Sequence, residues 1–200
     1  MLKLYGGARS RASIVQWYLE ELAVPYEFVL LDMQAGEHRQ PAFLAINPIG
    51  KVPAIVEGDF KLWESGAILL YLAEKYGEPG LSLERRSLLN QWINYANATL
   101  GSAIISDETK ATERPRHMTM LNHLLEKQPF LGGDAFSVAD VAVGSLIVYC
   151  QRMFQLDLGE YSAVANYVKS LSERPPCQKT MLRAYPENVR SLRPTIKQAA

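Results

Sequence analysis

Gly50-Lys51-Val52-Pro53-Ala54-Ile55 and, eleven residues further on, Trp63-Glu64-Ser65-Gly66-Ala67-Ile68 decide how this chain folds. A proline that opens an apolar strand has no N–H to give to a ladder. An X-Pro bond costs only about 0.5–1 kcal/mol in the cis form, so a tight turn can hold Val52-Pro53 that way. A cis bond would turn the Val52 amide and carbonyl outward, free to pair with an extended peptide. An ordinary trans proline at an edge strand is the plainer alternative. At Glu64-Ser65 a helix begins, and helix N-termini expose free amides and partial positive charge that attract carboxylates. Ser65 offers a hydroxyl donor and Glu64 an acceptor for an ammonium group, which together suit the amino-acid end of a ligand carrying both charges. Simple capping of the helix by the same two residues competes with that reading.

Working outward, Leu2-Lys3-Leu4-Tyr5 alternates as a short strand should, and Gly6-Gly7 ends it. Ile14, Val15, Tyr18, Leu19 and Leu22 recur at helical spacing over 12–23, with Pro25 as the limit. A second strand is expected over 26–31, a short irregular helical stretch over 36–45 and a turn at Asn47-Pro48-Ile49-Gly50. Two short strands (53–56 and 61–62) follow around Gly58-Asp59, then a helix over 64–76. The order β-α-β-α-β-β-α is complete before Gly77-Glu78-Pro79-Gly80, a breaker-rich linker. Beyond it the pattern is helical: 83–109, 114–127, 137–154 and 160–172, with Arg174-Pro175-Pro176 opening a further helix. An α/β domain over 1–78 and an all-α domain over 84–200 are expected, the tail after Pro186 being left unassigned.

Lys plus Arg (21) equals Asp plus Glu (21), so the chain exerts no global pull on nucleic acid or anionic lipid, and any anion site is local. No stretch approaches the ~20 apolar residues of a membrane span, and Met1-Leu2-Lys3-Leu4-Tyr5 lacks the apolar core of an export signal. Cys150 and Cys177 are isolated thiols, giving neither a disulfide framework nor a zinc site. A cytoplasmic protein without a metal, a nucleic-acid partner or a membrane partner is expected.

Val-Pro followed by Glu-Ser at a helix start resembles the glutathione-binding core of cytosolic glutathione S-transferases. The stretch from Gly36-Glu37-His38-Arg39-Gln40-Pro41 through Asn47-Pro48-Ile49-Gly50-Lys51-Val52-Pro53 is similar to phi-type and bacterial members. The resemblance implies a thioredoxin-like first domain, an all-helical second domain and glutathione as co-substrate. It further implies that Val52 pairs its backbone with the cysteinyl part of glutathione beside cis Pro53, the tripeptide lying along an edge strand. Glu64 and Ser65 then hold the γ-glutamyl end, while Lys51 and His38, with Arg39 near, face the glycine carboxylate. Unassigned, those three cations would be ordinary surface residues.

In Tyr5-Gly6-Gly7-Ala8-Arg9-Ser10-Arg11, Ser10 matches the spacing of the catalytic serine of serine-type relatives. Its implied task is to donate a hydrogen bond to the glutathione sulfur. A free thiol titrates at about 8.5, and each unit of downward shift requires about 1.4 kcal/mol of preference for the thiolate. One hydrogen bond to a charged acceptor supplies about 1.5–3 kcal/mol, so the magnitudes suffice. Ser10 also suits a helix N-cap; Arg11 stands as helper or substitute, Ser13 as a second candidate, and Tyr5 belongs to the strand. Redox-type relatives carry a cysteine at this position, and this chain has none before Cys150, which argues against disulfide exchange through a mixed disulfide.

Ser137-Val-Ala-Asp140 forms a capping box ahead of a long apolar helix and is assigned to stability. Cys150 and Tyr149 on that helix are expected in the core. The expected function is conjugation of the glutathione thiolate to small hydrophobic electrophiles, with peroxidase activity as an extension. The electrophile pocket is expected between the Gly6–Arg9 loop and the long helix around 94–105. The arrangement most resembles bacterial members, with the cyanobacterial chi class as the comparison, and the resemblance implies a homodimer. A non-catalytic binding or regulatory module of the same fold is the alternative.

Overall fold

A computed structural model of the chain describes residues 1–106, 108 and 111–183. Its first half has the order β1 (Leu2–Gly6), α1 (Ala12–Glu21), β2 (Tyr26–Leu30), a single-turn helix at Glu37–Arg39, α2 (Pro41–Leu44), β3 (Ala54–Glu57), β4 (Phe60–Trp63) and α3 (Ser65–Leu72). The second half contains α4 (Leu83–Asn94), α5 (Gly101–Ile105), α6 (Glu113–Leu125), α7 (Val138–Phe154), α8 (Ser162–Glu173) and α9 (Pro175–Thr180). This is a thioredoxin-like domain followed by a helical one, as expected.

The four strands lie in the order β2-β1-β3-β4. β1 and β2 run parallel with Leu4 opposite Phe28, which requires the crossover that α1 supplies. β3 pairs antiparallel with β1, Leu4 opposite Ile55, and with β4 through the hairpin at Gly58-Asp59. β3 begins at Ala54 because Pro53 has no N–H to pair. It is therefore an inner strand, and Val52 lies in the loop that enters it. The expectation of an edge strand at residue 52 is corrected by this order: β4 and β2 form the edges.

Element ends moved where local geometry intervened. α1 stops at Glu21, two residues short, because Ala23 adopts a positive φ of 51°. α3 gives way at Ala73 to a wider π turn that ends at Gly77. The long helix expected over 83–109 is broken by a π segment at Tyr95–Leu100 and ends at Ile105. Thr109 and the tail from 184 onward lie outside the described residues.

One apolar core runs from Leu2 and Leu4 through Val15, Ile68 and Leu72 to Ile93, Val141, Ile147 and Leu171. α7 is its axis. Its capping box closes as expected, and Asp140, wholly buried, accepts bonds from the Leu131 and Ser137 amides at 2.8 Å each and from the Tyr167 hydroxyl at 2.9 Å. Burial raises the Asp140 pKa, and those hydrogen bonds offset part of the rise.

Candidate active site

β1 delivers the chain to a crowded turn. A Cβ on Gly6 would sit 2.4 Å from that of Ala12, so only glycine lets α1 fold back so closely. In the turn that follows, the Ser10 hydroxyl accepts from the Gly7 amide at 3.1 Å and from the Ala12 amide at 3.3 Å, and donates to the Gly7 carbonyl at 2.9 Å. Ser10 thus closes its own turn and satisfies a first-turn amide of α1. The Ser13 hydroxyl donates to the Ser10 carbonyl at 3.1 Å. Tyr5 stays in β1, its ring 5.8 Å from that of Phe43.

Across the groove α3 begins. Glu64 is held at φ 70°, ψ 118°, a conformation that L-residues adopt only under constraint. Its side chain is exposed and makes no hydrogen bond or ion pair among the described residues. Ser65 is buried and accepts from Arg11 Nε at 3.2 Å, while Arg11 Nη2 donates to Asn97 Oδ1. Arg11 as a residue is exposed, yet burial of its guanidinium lowers its pKa and the nearby Glu64 charge opposes that shift. It stays protonated at any working pH. Asn97 belongs to the π segment of the helical half, within the stretch around 94–105 expected to border the site, although the sequence did not single it out.

The third wall is the loop before β3. The Val52-Pro53 bond is cis. The loop is clamped by Asn47, 2 % exposed, whose amide donates to the Lys51 carbonyl at 2.7 Å and whose oxygen accepts from the Ile49 amide at 3.0 Å. Sequence reasoning saw Asn47 only as a turn residue. Gly50 has φ 66°, and a Cβ there would lie 3.1 Å from the His38 carbonyl, so the single-turn helix that carries His38 adjoins this loop. His38 Nδ1 is buried with no hydrogen-bond partner in the described structure. Lys51 and Arg39 are exposed. Arg11 and Ser65 are thus brought together, Ser10 stands beside Arg11 in the chain with its hydroxyl bonded within its own turn, and His38 lies against the turn that leads to Lys51 and Val52.

The cysteines lie apart. Both are fully buried, and burial pushes their thiols up, Cys150 to about 11 and Cys177 to about 12. Tyr149 departs from expectation: it is 46 % exposed, on an end of α7 where Met153 and Phe154 are exposed as well, and it packs edge-on to Phe154 at 5.9 Å. Two open grooves of about 410 and 450 Å³ lie along α8, one against α6 and one against the α7–α8 turn, and no residue named above as part of the site lines either. Among the described residues no cluster of His, Cys, Asp and Glu is placed to hold a metal ion, and no helix is long and apolar enough to cross a membrane.

This geometry has counterparts. Residues 1–74 match the family model for the N-terminal domain of glutathione S-transferases, and residues 87–186 match the model for the C-terminal domain. The chain belongs to the glutathione S-transferase family. Among curated relatives, the disulfide-bond oxidoreductase YfcG of Escherichia coli K12 is 32 % identical over 92 % of this chain and 96 % of that protein. Glutathione S-transferase GstB of the same strain is 30 % identical over 91 % of this chain and 98 % of its own length. Among solved transferases, glutathione S-transferase-I bound to lactoylglutathione superposes with a TM-score of 0.78 at 27 % identity, covering 90 % of this chain and 98 % of that one. A theta-class glutathione S-transferase from Xanthomonas axonopodis pv. citri, with glutathione bound, gives 0.78 at 25 % identity, covering 92 % of this chain and 98 % of that one.

Proposed function

We propose that the protein transfers the glutathione thiolate to small hydrophobic electrophiles such as halogenated aromatics, with hydroperoxide reduction as a further activity. The observation that carries this is the cluster at the mouth of α3: buried Ser65, exposed Glu64 at positive φ and the Arg11 guanidinium bonded to Ser65. A carboxylate and an ammonium on one ligand terminus match it group for group. At the other terminus, a glycine carboxylate suits the exposed Lys51 and the part-exposed ring of His38. Val52 supplies backbone groups beside cis Pro53 for the cysteinyl part between them.

Ser10 acts at the sulfur. Its hydroxyl now donates to the Gly7 carbonyl, and turning the proton toward the groove gives up that bond, worth about 0.5–1.5 kcal/mol. A bond to the thiolate returns about 1.5–3 kcal/mol, so the swing is favoured once the sulfur is ionised. The thiol proton leaves to solvent, the thiolate forms a C–S bond to the electrophilic carbon, and a halide departs with the electrons of the C–X bond. Arg11 serves the γ-glutamyl carboxylate, because its contacts tie it to Ser65 and Asn97 at that end of the groove.

We infer further a bacterial, serine-type enzyme, with the chi class as the nearest comparison, working in the cytoplasm as a homodimer. Exposed Phe60 on β4 and Leu88 on α4 are apolar surface available to a second subunit. A monomeric mass by light scattering at micromolar concentration overturns the dimer. Retention on glutathione-agarose and a chlorodinitrobenzene assay test the activity. Binding without turnover across a panel of electrophiles points instead to a binding or regulatory module, and no retention at all rejects the glutathione site.

The likeness to YfcG, a disulfide-bond oxidoreductase, supports a second reading, glutathione-dependent disulfide reduction. Because Cys150 and Cys177 are buried with raised pKa values, both thiols would come from glutathione. One thiolate attacks the disulfide, releasing a substrate thiolate and forming a mixed disulfide. A second glutathione thiolate displaces the other substrate sulfur and leaves oxidised glutathione. Turnover of hydroxyethyl disulfide that survives substitution of both cysteines supports this reading.

A further inference from the structure

Arg11 is long, lies on an exposed turn and would ordinarily sample many rotamers. Here its guanidinium is fixed at two points: Nε on Ser65, and Nη2 on the side-chain oxygen of Asn97. Asn97 comes from the helical domain, on the π segment Tyr95–Leu100. It reaches the mouth of α3 because Gly66 has no side chain: a Cβ there would stand 2.8 Å from both Asn97 Nδ2 and Ile93 Cγ2. The close approach of the two domains and the fixing of Arg11 are one arrangement. The Ser65 hydroxyl, used as an acceptor by Arg11, keeps its own proton to give. The remaining N–H groups of Arg11 have no acceptor recorded among the described residues.

We propose that Asn97 is a positioning residue for glutathione: it holds the Arg11 guanidinium against Ser65, so that the free N–H groups of Arg11 meet the α-carboxylate of the γ-glutamyl residue. This rests on the glutathione reading given above. An untethered arginine must surrender rotamer freedom when the ligand binds, whereas a tethered one has surrendered it during folding. The effect is felt in affinity. The sulfur lies in the care of Ser10, at the other side of the turn, so the chemical step and its pH profile are left alone.

The test uses the full-length protein and two ligands: glutathione, and the analogue in which the γ-glutamyl residue lacks its α-carboxylate. Dissociation constants are measured by calorimetry for the parent, Asn97→Leu, Arg11→Met and the double variant. Steady-state conjugation is run beside them, and melting temperatures confirm folding. The parent is expected to prefer glutathione over the analogue by about tenfold or more. Asn97→Leu is expected to weaken glutathione by about three- to tenfold while leaving the analogue unchanged, with kcat and its pH profile within about twofold. In the Arg11→Met background, Asn97→Leu is expected to add nothing. Should Asn97→Leu not fold, Asn97→Ser is read in the same way. The proposal is overturned if Asn97→Leu binds glutathione as the parent does, weakens both ligands equally, or keeps its effect when Arg11 is gone. A parent that binds both ligands alike overturns it while sparing the glutathione site; a parent that binds neither overturns the site itself.

Discussion

Arg174 and Glu21 form a two-pronged ion pair that ties the start of α9 to the end of α1: Nε meets Oε1 at 2.7 Å and Nη2 meets Oε2 at 2.6 Å. Trp17 Nε1 donates to the same Oε1 at 2.8 Å, and the guanidinium lies 3.9 Å from the centre of the Phe136 ring. The Glu21 side chain is only 8 % exposed, so its charge depends on this partner. Arg174→Met leaves a buried carboxylate unpaired and should lower stability by about 2–3 kcal/mol, less than for a fully buried pair because Arg174 keeps some solvent. Urea unfolding measures it, and an unchanged midpoint would contradict the pairing.

Ser10→Ala removes the donor proposed for the thiolate. The net loss at the sulfur, about 1–1.5 kcal/mol once the bond given up to the Gly7 carbonyl is subtracted, raises the bound thiol's pKa and slows conjugation at neutral pH by about five- to tenfold. Because the defect is one of ionisation, it should shrink as pH rises above the new pKa, while the glutathione dissociation constant moves little. Equal rates for variant and parent would shift the role to Arg11 or Ser13.

Glu57, at the end of β3, accepts from the Tyr71 hydroxyl at 2.7 Å and the Tyr76 hydroxyl at 2.6 Å and pairs with Lys75 at 2.7 Å. Burial pushes its carboxyl up, but hydrogen bonds from Lys75, Tyr76 and Tyr71 outweigh that and bring the pKa from 4.5 to about 2. A folded pKa below the unfolded one contributes stability above about pH 4.5 that is lost as pH falls toward 2. Glu57→Gln should therefore be less stable than the parent at about pH 6, and the gap in urea midpoint should close on acidification. A gap that is independent of pH would refute the ionic origin.

Gly144 lets α7 and α8 touch. A Cβ there would lie 2.3 Å from Leu171 Cδ1, in a fully buried contact. Alanine gains about 1 kcal/mol in helix propensity, but overpacking costs about 1–3 kcal/mol. Gly144→Ala should therefore come out destabilised by up to about 2 kcal/mol, with the affinity for glutathione unaltered. Thermal melting and calorimetry read the two effects separately, and a stabilised variant would show that α8 yields easily.

Much of this was legible in the chain because it is set by neighbours in sequence. The alternation of β1, the helical spacing of α1, the capping box of Ser137 and Asp140 and the breakers at Gly77–Gly80 each arise within a few residues. The β-α-β-α-β-β-α order and the helical second half follow from them. The spacing from Val52-Pro53 to Glu64-Ser65 likewise places a turn and a helix start at a fixed separation.

Contacts between distant segments left no such trace. Arg11 shows in sequence only as a charged neighbour of Ser10; its direction toward Ser65 and Asn97 depends on how closely α3 and the helical domain approach over Gly66. The inner position of β3, the burial of Cys150 beside an exposed Tyr149 and the bond from Asn47 to the Lys51 carbonyl are equally products of packing. Periodicity reports which face of an element is apolar, and it carries no information about what that face meets.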